Sequence, residues 1–206
     1  MRSKLPDDKG LEHVGGPGLA EQAPATVDLR TLDSRVVYEN RWMRVREDAI
    51  ERSDGSRGIY GVVEKPDFVA IAAIDRPRGL IHLVEQYRYP VSGRYWELPQ
   101  GSWETRPDVP PEDVARAELS EETGLTAGKM TRVGDLFLAY GYSSQRYHVF
   151  LAEDLLQGAT ALEAEEADLV SRAFAFAEVE TMIANGIIRD ATTVAALGLI
   201  RLKGLL

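Results

Sequence analysis

The chain has 206 residues, 44% of them hydrophobic, and a formal net charge of −9. That content suffices for one sizeable core and a smaller appendage, whereas the acidic balance argues against nucleic acid or an anionic membrane as a partner, since both bind basic surfaces. The chain lacks cysteine, which excludes disulfides and cysteine–zinc sites, and it lacks a membrane-length apolar run or signal peptide, so we expect a cytoplasmic protein.

The first part of the chain predicts a tail followed by a small β unit. Residues 1–30 are rich in glycine, proline, alanine and charge without any regular period, and we expect them to be flexible. Residues 31–66 contain strand patterns around Val36–Tyr38 and Met43–Arg46, a turn at Ser53–Ser56 and a returning strand. Three such strands bury little by themselves, so the unit should pack on the main domain or on a second subunit.

Residues 67–206 predict a larger domain with strands before and after a central helix. The expected strands are Phe68–Ile74, Leu80–Tyr87, Tyr95–Leu98, Arg132–Ala139, Tyr147–Ala152 and Ser171–Phe176. The central helix should begin near Pro110, because proline and acids suit its first turn, and end before Gly124. Two further helices are expected at Ala177–Asn185 and Ala191–Leu202. This order predicts an α+β fold with a mixed sheet.

Acidic side chains crowd one side of the central predicted helix. Glu118 and Glu122 are four residues apart and share a face, and Glu121 flanks them. Like charges at this spacing destabilise an isolated helix by roughly 0.2–0.5 kcal/mol per pair, and no following lysine or arginine offsets them. The face would suit a divalent cation held by carboxylates, such as Mg²⁺, Mn²⁺ or Ca²⁺. Taken alone, however, such a pattern is more often a solvated acidic face.

The surroundings of these glutamates closely resemble the Nudix box, in which a glycine loop precedes a helix that ends in a fixed run of glutamates. The matching segments are Leu98–Gly101 and Glu118–Leu125. The resemblance implies an α/β/α sandwich, a Mg²⁺ site that could also take Mn²⁺, and catalytic roles for Glu121 and Glu122. The implied metal ligands are the carboxylates of Glu118, Glu121 and Glu122 and the carbonyl of Gln100, with Glu121 a ligand or the partner of one.

Two positions depart from the family pattern. The family arginine before the first glutamate falls at Ala117, and the family glutamate in the loop falls near Val109. Those two groups normally hold loop and helix together by charge, and losing both is less costly than losing one, because half a pair leaves an uncompensated charge. We predict that Val109 and Ala117 lie close together and pack as apolar groups.

Segments outside the box resemble the ADP-ribose pyrophosphatase group of that family, namely Glu85–Pro90, Gly141–Arg146 and Gly186–Thr193. Because that group exchanges its N-terminal β unit between subunits, the resemblance implies a homodimer with the substrate at its interface. It also implies substrate contacts by Arg88, Glu97 and Tyr142. The general base is expected in the acidic loop after the box, where we prefer Glu166, then Glu165, with Glu163 a further candidate.

The leading hypothesis is therefore Mg²⁺-dependent hydrolysis of the diphosphate bond of a nucleoside diphosphate sugar. The best single substrate is ADP-ribose, which would give AMP and ribose 5-phosphate. Other nucleotide sugars and dinucleoside polyphosphates stay open, because Gln100 also resembles the polyphosphate-cleaving members of the family. The changes at Val109 and Ala117 leave open a domain that binds a nucleotide sugar without cutting it, and the acidic helix leaves open an interaction domain.

Overall fold

The computed structural model describes residues 28–103, 108–159 and 168–206, which form a three-stranded and a seven-stranded sheet with helices. The small sheet comprises β1 (Leu29–Glu39), β2 (Arg44–Arg52) and β3 (Arg57–Glu64). The large sheet comprises β4 (Phe68–Asp75), β5 (Leu80–Arg88), β6 (Gly93–Glu97), β7 (Gln100–Gly101), β8 (Leu125–Phe137), β9 (Arg146–Gln157) and β10 (Val170–Ala175). The helices are α1 (Pro111–Thr123), α2 (Phe176–Ala184) and α3 (Ala191–Leu202), with 3₁₀ turns at Arg76–Arg78 and Tyr89–Val91.

The large sheet is mixed and lies between two helical layers. Its strand order is β10-β5-β4-β9-β8, with β6 added to β5 and β7 to β4, and β4 runs parallel to β9 while the other pairs are antiparallel. Alternate residues of β4 point to opposite faces. Val69 and Ile71 pack with α1, whereas Ala70 and Ile74 belong to the core under α2 and α3. The predicted α/β/α sandwich is confirmed.

The small sheet is an antiparallel meander joined to the large domain through β3. The Val63 amide donates to the Tyr142 carbonyl oxygen, and the Ser143 hydroxyl donates to the Val63 carbonyl oxygen, each at 2.8 Å. The Tyr60 hydroxyl donates to the Gly141 carbonyl oxygen, also at 2.8 Å. β1 is exposed along its whole length and makes its strand contacts with β2. Residues 1–27 of the predicted tail lie outside the described residues.

The boundaries differ from the sequence expectation where strands leave the core. β8 starts at Leu125 rather than Arg132, because its first half pairs with an end of β9 that extends past the core and exposes residues such as Leu156. Those residues lack the alternation of buried and exposed positions that identifies a strand. The two-residue strand β7 was not predicted, since it is too short to show any period. α3 has the predicted bounds.

The helix α1 begins and ends on the predicted signals. Pro111 opens it, Glu112 and Asp113 occupy its first turn, and Gly124 adopts the left-handed conformation (φ 71°) that closes it. Its apolar face, which includes Leu119, packs on the large sheet. None of the described helices has both the length and the apolar character needed to cross a membrane.

Candidate active site

The acidic face of α1 is turned toward the segment Glu97–Gly101, which is called the β7 loop below. Glu122 is fully buried and Glu118 is 6% exposed, so a solvated acidic face is the wrong interpretation of both residues. The backbone amide of Gln100 donates to Glu122 Oε2 at 3.1 Å. Gly101 lies against Glu118, since a Cβ at position 101 would come within 2.3–2.5 Å of the carboxylate atoms of Glu118. The loop glycine therefore makes room for a carboxylate between strand and helix.

These groups fit a divalent cation. Within residues 28–103, 108–159 and 168–206, no three histidine, aspartate or glutamate side chains converge closely enough to enclose a metal. Mg²⁺ is usually held by only one or two carboxylates, with waters and substrate phosphate oxygens completing the octahedron. The carboxylates of Glu118 and Glu122, in the space that Gly101 leaves beside the loop, meet that requirement. The individual ligand assignments, including Glu121 and the Gln100 carbonyl, stay predictions.

A cleft of about 950 Å³ adjoins this loop. It lies between the end of β5, the β7 loop and the start of α3, and its size suits a nucleotide-like ligand. Its apolar lining includes Phe68, Pro90, Val91 and Leu138. Its charged lining consists of Lys65, Arg88, Glu97, Arg189 and Asp190.

A buried ion pair holds Arg88 at the cleft. Glu97 is 2% exposed, and the Arg88 guanidinium donates to both of its carboxylate oxygens, with Nε at 3.1 Å from Oε2. Gln86 Nε2 donates to Glu97 Oε1 at 2.9 Å. Burial raises the pKa of Glu97, Arg88 opposes that shift and the charge of Asp190 adds to it. The Arg88 side chain is still 40% exposed, so part of the guanidinium remains available to an anion.

The other predicted site residues are distributed differently. Tyr142 belongs to the loop that pairs with β3 and is not among the side chains lining the cleft. Glu163, Glu165 and Glu166 lie outside the described residues, so the general base stays a prediction.

Of the two altered positions of the box, Val109 precedes α1 and Ala117 lies in the middle of that helix. Val109 packs against the core cluster on the α1 face of the sheet, which is the apolar role expected of it. Its contact with Ala117 stays a prediction. Arg116, one place before the family position, pairs with Glu112 at 2.8 Å and donates to the Ala127 carbonyl oxygen at 2.9 Å.

Three of the charged residues that line the cleft were not predicted as site residues from the sequence, namely Lys65, Arg189 and Asp190. Arg189 Nε donates to the Gly186 carbonyl oxygen at 2.7 Å, which fixes the bend before α3. The sequence signal for Arg189 and Asp190 is the segment Gly186–Thr193, which resembles the ADP-ribose pyrophosphatase group. Together with Arg88, Lys65 and Arg189 place cationic groups around a cleft in a chain whose overall charge is negative.

Comparison with known proteins identifies the class to which this fold and site belong. Residues 65–197 match the model of the NUDIX domain, and residues 30–63 match that of the nucleoside diphosphate sugar hydrolase N-terminal domain. The chain belongs to the Nudix hydrolase family. Within that family it is a nucleoside diphosphate sugar hydrolase, since the chain matches both the N-terminal domain of those hydrolases and the NUDIX domain. A domain that only binds its ligand is not supported.

Several characterised proteins resemble the chain over most of its length. The ADP-ribose pyrophosphatase of Mycobacterium tuberculosis is 32% identical over 82% of this chain and 81% of its own. The ADP-ribose pyrophosphatase of Bacillus subtilis is 30% identical over 63% and 69%, and the GDP-mannose pyrophosphatase of Pectobacterium atrosepticum is 28% identical over 72% and 80%. A solved ADP compounds hydrolase superposes with a TM-score of 0.75 over 88% of this chain and 98% of its own, at 23% identity, which shows the shared fold.

Proposed function

We propose that the chain hydrolyses ADP-ribose to AMP and ribose 5-phosphate with Mg²⁺, which Mn²⁺ could replace. The observation that carries this proposal is the position of two buried carboxylates, Glu118 and Glu122, beside a cleft lined by Arg88 and Arg189. A diphosphate needs both a cation on its phosphoryl oxygens and fixed positive groups nearby. Two relatives with at least 30% identity are ADP-ribose pyrophosphatases, which supports ADP-ribose over other nucleotide sugars as the substrate.

The residues of this chain divide the chemistry among them. Hydrolysis joins the oxygen of water to one phosphorus and breaks the bond from that phosphorus to the bridging oxygen. The other phosphate leaves with the bridging oxygen, and one proton of the water passes to a base. Mg²⁺, when bound, supplies charge neutralisation and a more acidic water. Glu118 and Glu122, with the Gln100 carbonyl, would hold that ion, and Arg88 would grip a phosphate with its planar guanidinium. Glu97 keeps the guanidinium of Arg88 in place.

A general base must lie within hydrogen-bond reach of the attacking water. We propose Glu166 for this role, with Glu165 as the second choice and Glu121 as a contributor from α1. Glu122, the most buried of the three glutamates on α1, would contribute by holding the ion. Tyr142 and Glu97 are proposed to bind substrate, Tyr142 across a subunit interface and Glu97 through Arg88.

A substrate panel tests the proposed reaction. The purified chain is incubated with Mg²⁺ and, separately, ADP-ribose, GDP-mannose, a UDP-sugar and a diadenosine polyphosphate, and the products are identified by chromatography. We expect AMP and ribose 5-phosphate from ADP-ribose, with kcat/KM about tenfold or more above the others. Preference for GDP-mannose would make the substrate assignment wrong, and the absence of any turnover would make the enzymatic proposal wrong.

We also propose that the chain is a homodimer. Val36, Val37, Tyr38 and Ile59 are large apolar residues of the small sheet with about half or more of their surface exposed. Large apolar side chains left exposed on so small a sheet favour a second subunit that covers them. Light scattering should give twice the mass of one chain at micromolar concentration, and a monomer under those conditions would exclude the dimer.

A further inference from the structure

The segment Gly186–Thr193 reaches the β7 loop through the first turn of α3. The Thr193 side chain is fully buried, and its Oγ1 accepts a hydrogen bond from the Leu98 amide at 2.9 Å. The same hydroxyl donates to Asp190 Oδ2 at 2.7 Å. Because the carboxylate takes the hydroxyl hydrogen, a lone pair of Oγ1 is left facing Leu98.

Asp190 is itself held by the start of α3. It is the N-cap residue, and its carboxylate accepts from the Thr192 amide at 3.3 Å and from the Thr193 amide at 2.8 Å. These bonds satisfy amides that have no partner within the helix. They also fix the carboxylate that orients the Thr193 hydroxyl.

Leu98 depends on this contact because of its position in the chain. It is fully buried and follows Glu97, the last residue of β6, where the pairing with β5 ends. A buried amide without an acceptor costs free energy. The position of the acceptor therefore fixes the position of the backbone at Leu98. The acceptor comes from a residue 95 positions further along the sequence.

Three consecutive residues of the loop are thus anchored by three different elements. α3 holds the Leu98 amide, the Ile71 amide of β4 donates to the Pro99 carbonyl oxygen at 2.9 Å, and Glu122 of α1 accepts from the Gln100 amide at 3.1 Å. Leu98, whose amide α3 holds, directly follows Glu97, whose carboxylate binds Arg88. The anchored residue Leu98 therefore lies between Glu97, which contacts Arg88, and Gln100, which contacts Glu122.

We propose that Thr193, oriented by Asp190, is a positioning residue that sets the Glu97–Gly101 loop for metal and diphosphate binding. This inference rests on the proposed function. Without the hydroxyl, the Leu98 amide loses its acceptor and the loop shifts, so the Gln100 carbonyl and the Glu97–Arg88 pair leave their places. Displacements of about 1 Å at such a site reduce rates by up to about 10²-fold.

Paired variants at position 193 test the proposal. Thr193→Val removes the hydroxyl at constant shape, Thr193→Ser keeps it, and Thr181→Val is the matched control, since the Thr181 hydroxyl donates to the Ala177 carbonyl oxygen within α2 at 2.8 Å. With ADP-ribose, Thr193→Val should lower kcat about 10- to 100-fold and raise the half-saturating Mg²⁺ concentration several-fold. Thr193→Ser should restore both to within about threefold, and Thr181→Val should match the wild type.

The metal dependence separates positioning from mere loss of folded protein. A smaller folded fraction would lower kcat without moving the half-saturating Mg²⁺ concentration. Folded Thr193→Val protein with wild-type kcat and Mg²⁺ dependence would overturn the proposal. If that variant does not fold, Asp190→Asn takes its place, because asparagine is an equally good N-cap but cannot provide both carboxylate oxygens. It should raise the half-saturating Mg²⁺ concentration, and an unchanged value would again overturn the proposal.

A second measurement keeps this inference distinct from the proposed function. If the wild-type chain cleaves no diphosphate, the proposed reaction is wrong, and the gain in Tm on adding Mg²⁺ then tests the positioning role directly. The gain should be smaller for Thr193→Val than for Thr193→Ser and the wild type. Equal gains in all three proteins would exclude Thr193 as a positioning residue.

Discussion

Replacing Glu122 by glutamine should reduce kcat for ADP-ribose by about 10³-fold, which corresponds to about 4 kcal/mol of transition-state stabilisation. Glutamine has the shape of glutamate and can still accept the hydrogen bond from the Gln100 amide, so the contact between loop and helix survives. What it lacks is the negative charge that holds a divalent cation. Steady-state kinetics over a Mg²⁺ titration measures the loss.

The same substitution should not lower the thermal stability of the metal-free protein. Glu122 is fully buried and lies one helix turn from Glu118 on the same face, and burial penalises a charged carboxylate more than a neutral amide. Without Mg²⁺ we therefore expect the Tm of Glu122→Gln to equal or exceed that of the wild type, whereas the gain on adding Mg²⁺ should disappear.

Glu112→Gln is the matched control for this experiment. Glu112 lies on the first turn of the same helix, where it is exposed and pairs with Arg116. Exposed pairs of this kind contribute about 0.3–0.5 kcal/mol, so the control should keep its kcat and its Mg²⁺ response. A Glu122→Gln protein that retained a third or more of the wild-type kcat would rule out the metal role of Glu122.

Gly101→Ala should abolish most activity while leaving the fold intact. The added Cβ would lie 2.3–2.5 Å from the carboxylate atoms of Glu118, far inside contact distance. The backbone at Gly101 is paired with Val69, whereas the Glu118 carboxylate is the far end of a flexible side chain, so the carboxylate moves. A displaced metal ligand should lower kcat by about 10²-fold. Kinetics and thermal unfolding are compared on the same preparation.

Gly198→Ala provides the control for adding a methyl group. Gly198 is an exposed residue of α3, and a Cβ there meets nothing within 4 Å. Alanine in a helix interior is more favourable than glycine by about 0.5–1 kcal/mol, so this variant should be slightly more stable and fully active. If Gly101→Ala lost stability by several kcal/mol, the backbone rather than Glu118 would have moved, and the interpretation of Gly101 as a space for the carboxylate would be wrong.

Much of the site could be predicted because its parts are local in sequence. The bounds of α1 follow from Pro111 at its start and Gly124 at its end, and the shared face of Glu118 and Glu122 follows from the period of the helix. The two faces of β4 follow from strict alternation. In each case the interactions that define the structure join residues a few positions apart.

The helix period alone left two interpretations of the acidic face open, a cation site and a solvated surface. Burial against the β7 loop excluded the solvated surface. Glu118 and Glu122 are buried because the strand that carries Gln100 and Gly101 crosses beside α1, which no local pattern specifies. Lys65 and Arg189 were not assigned to the cleft for the same reason, since both are far from Arg88 in a chain with a net charge of −9.

Helix caps, strand periods and short motifs lie within a few residues, so most of the elements, the family resemblance and the glutamates of the box can be recognised in the chain alone. The contacts of Glu97 with Arg88 and of Thr193 with Leu98 follow instead from tertiary packing. The second pair is separated by 95 positions and is brought together when α3 packs on the sheet. Such contacts depend on the whole core being assembled, so they have no local signature in the chain.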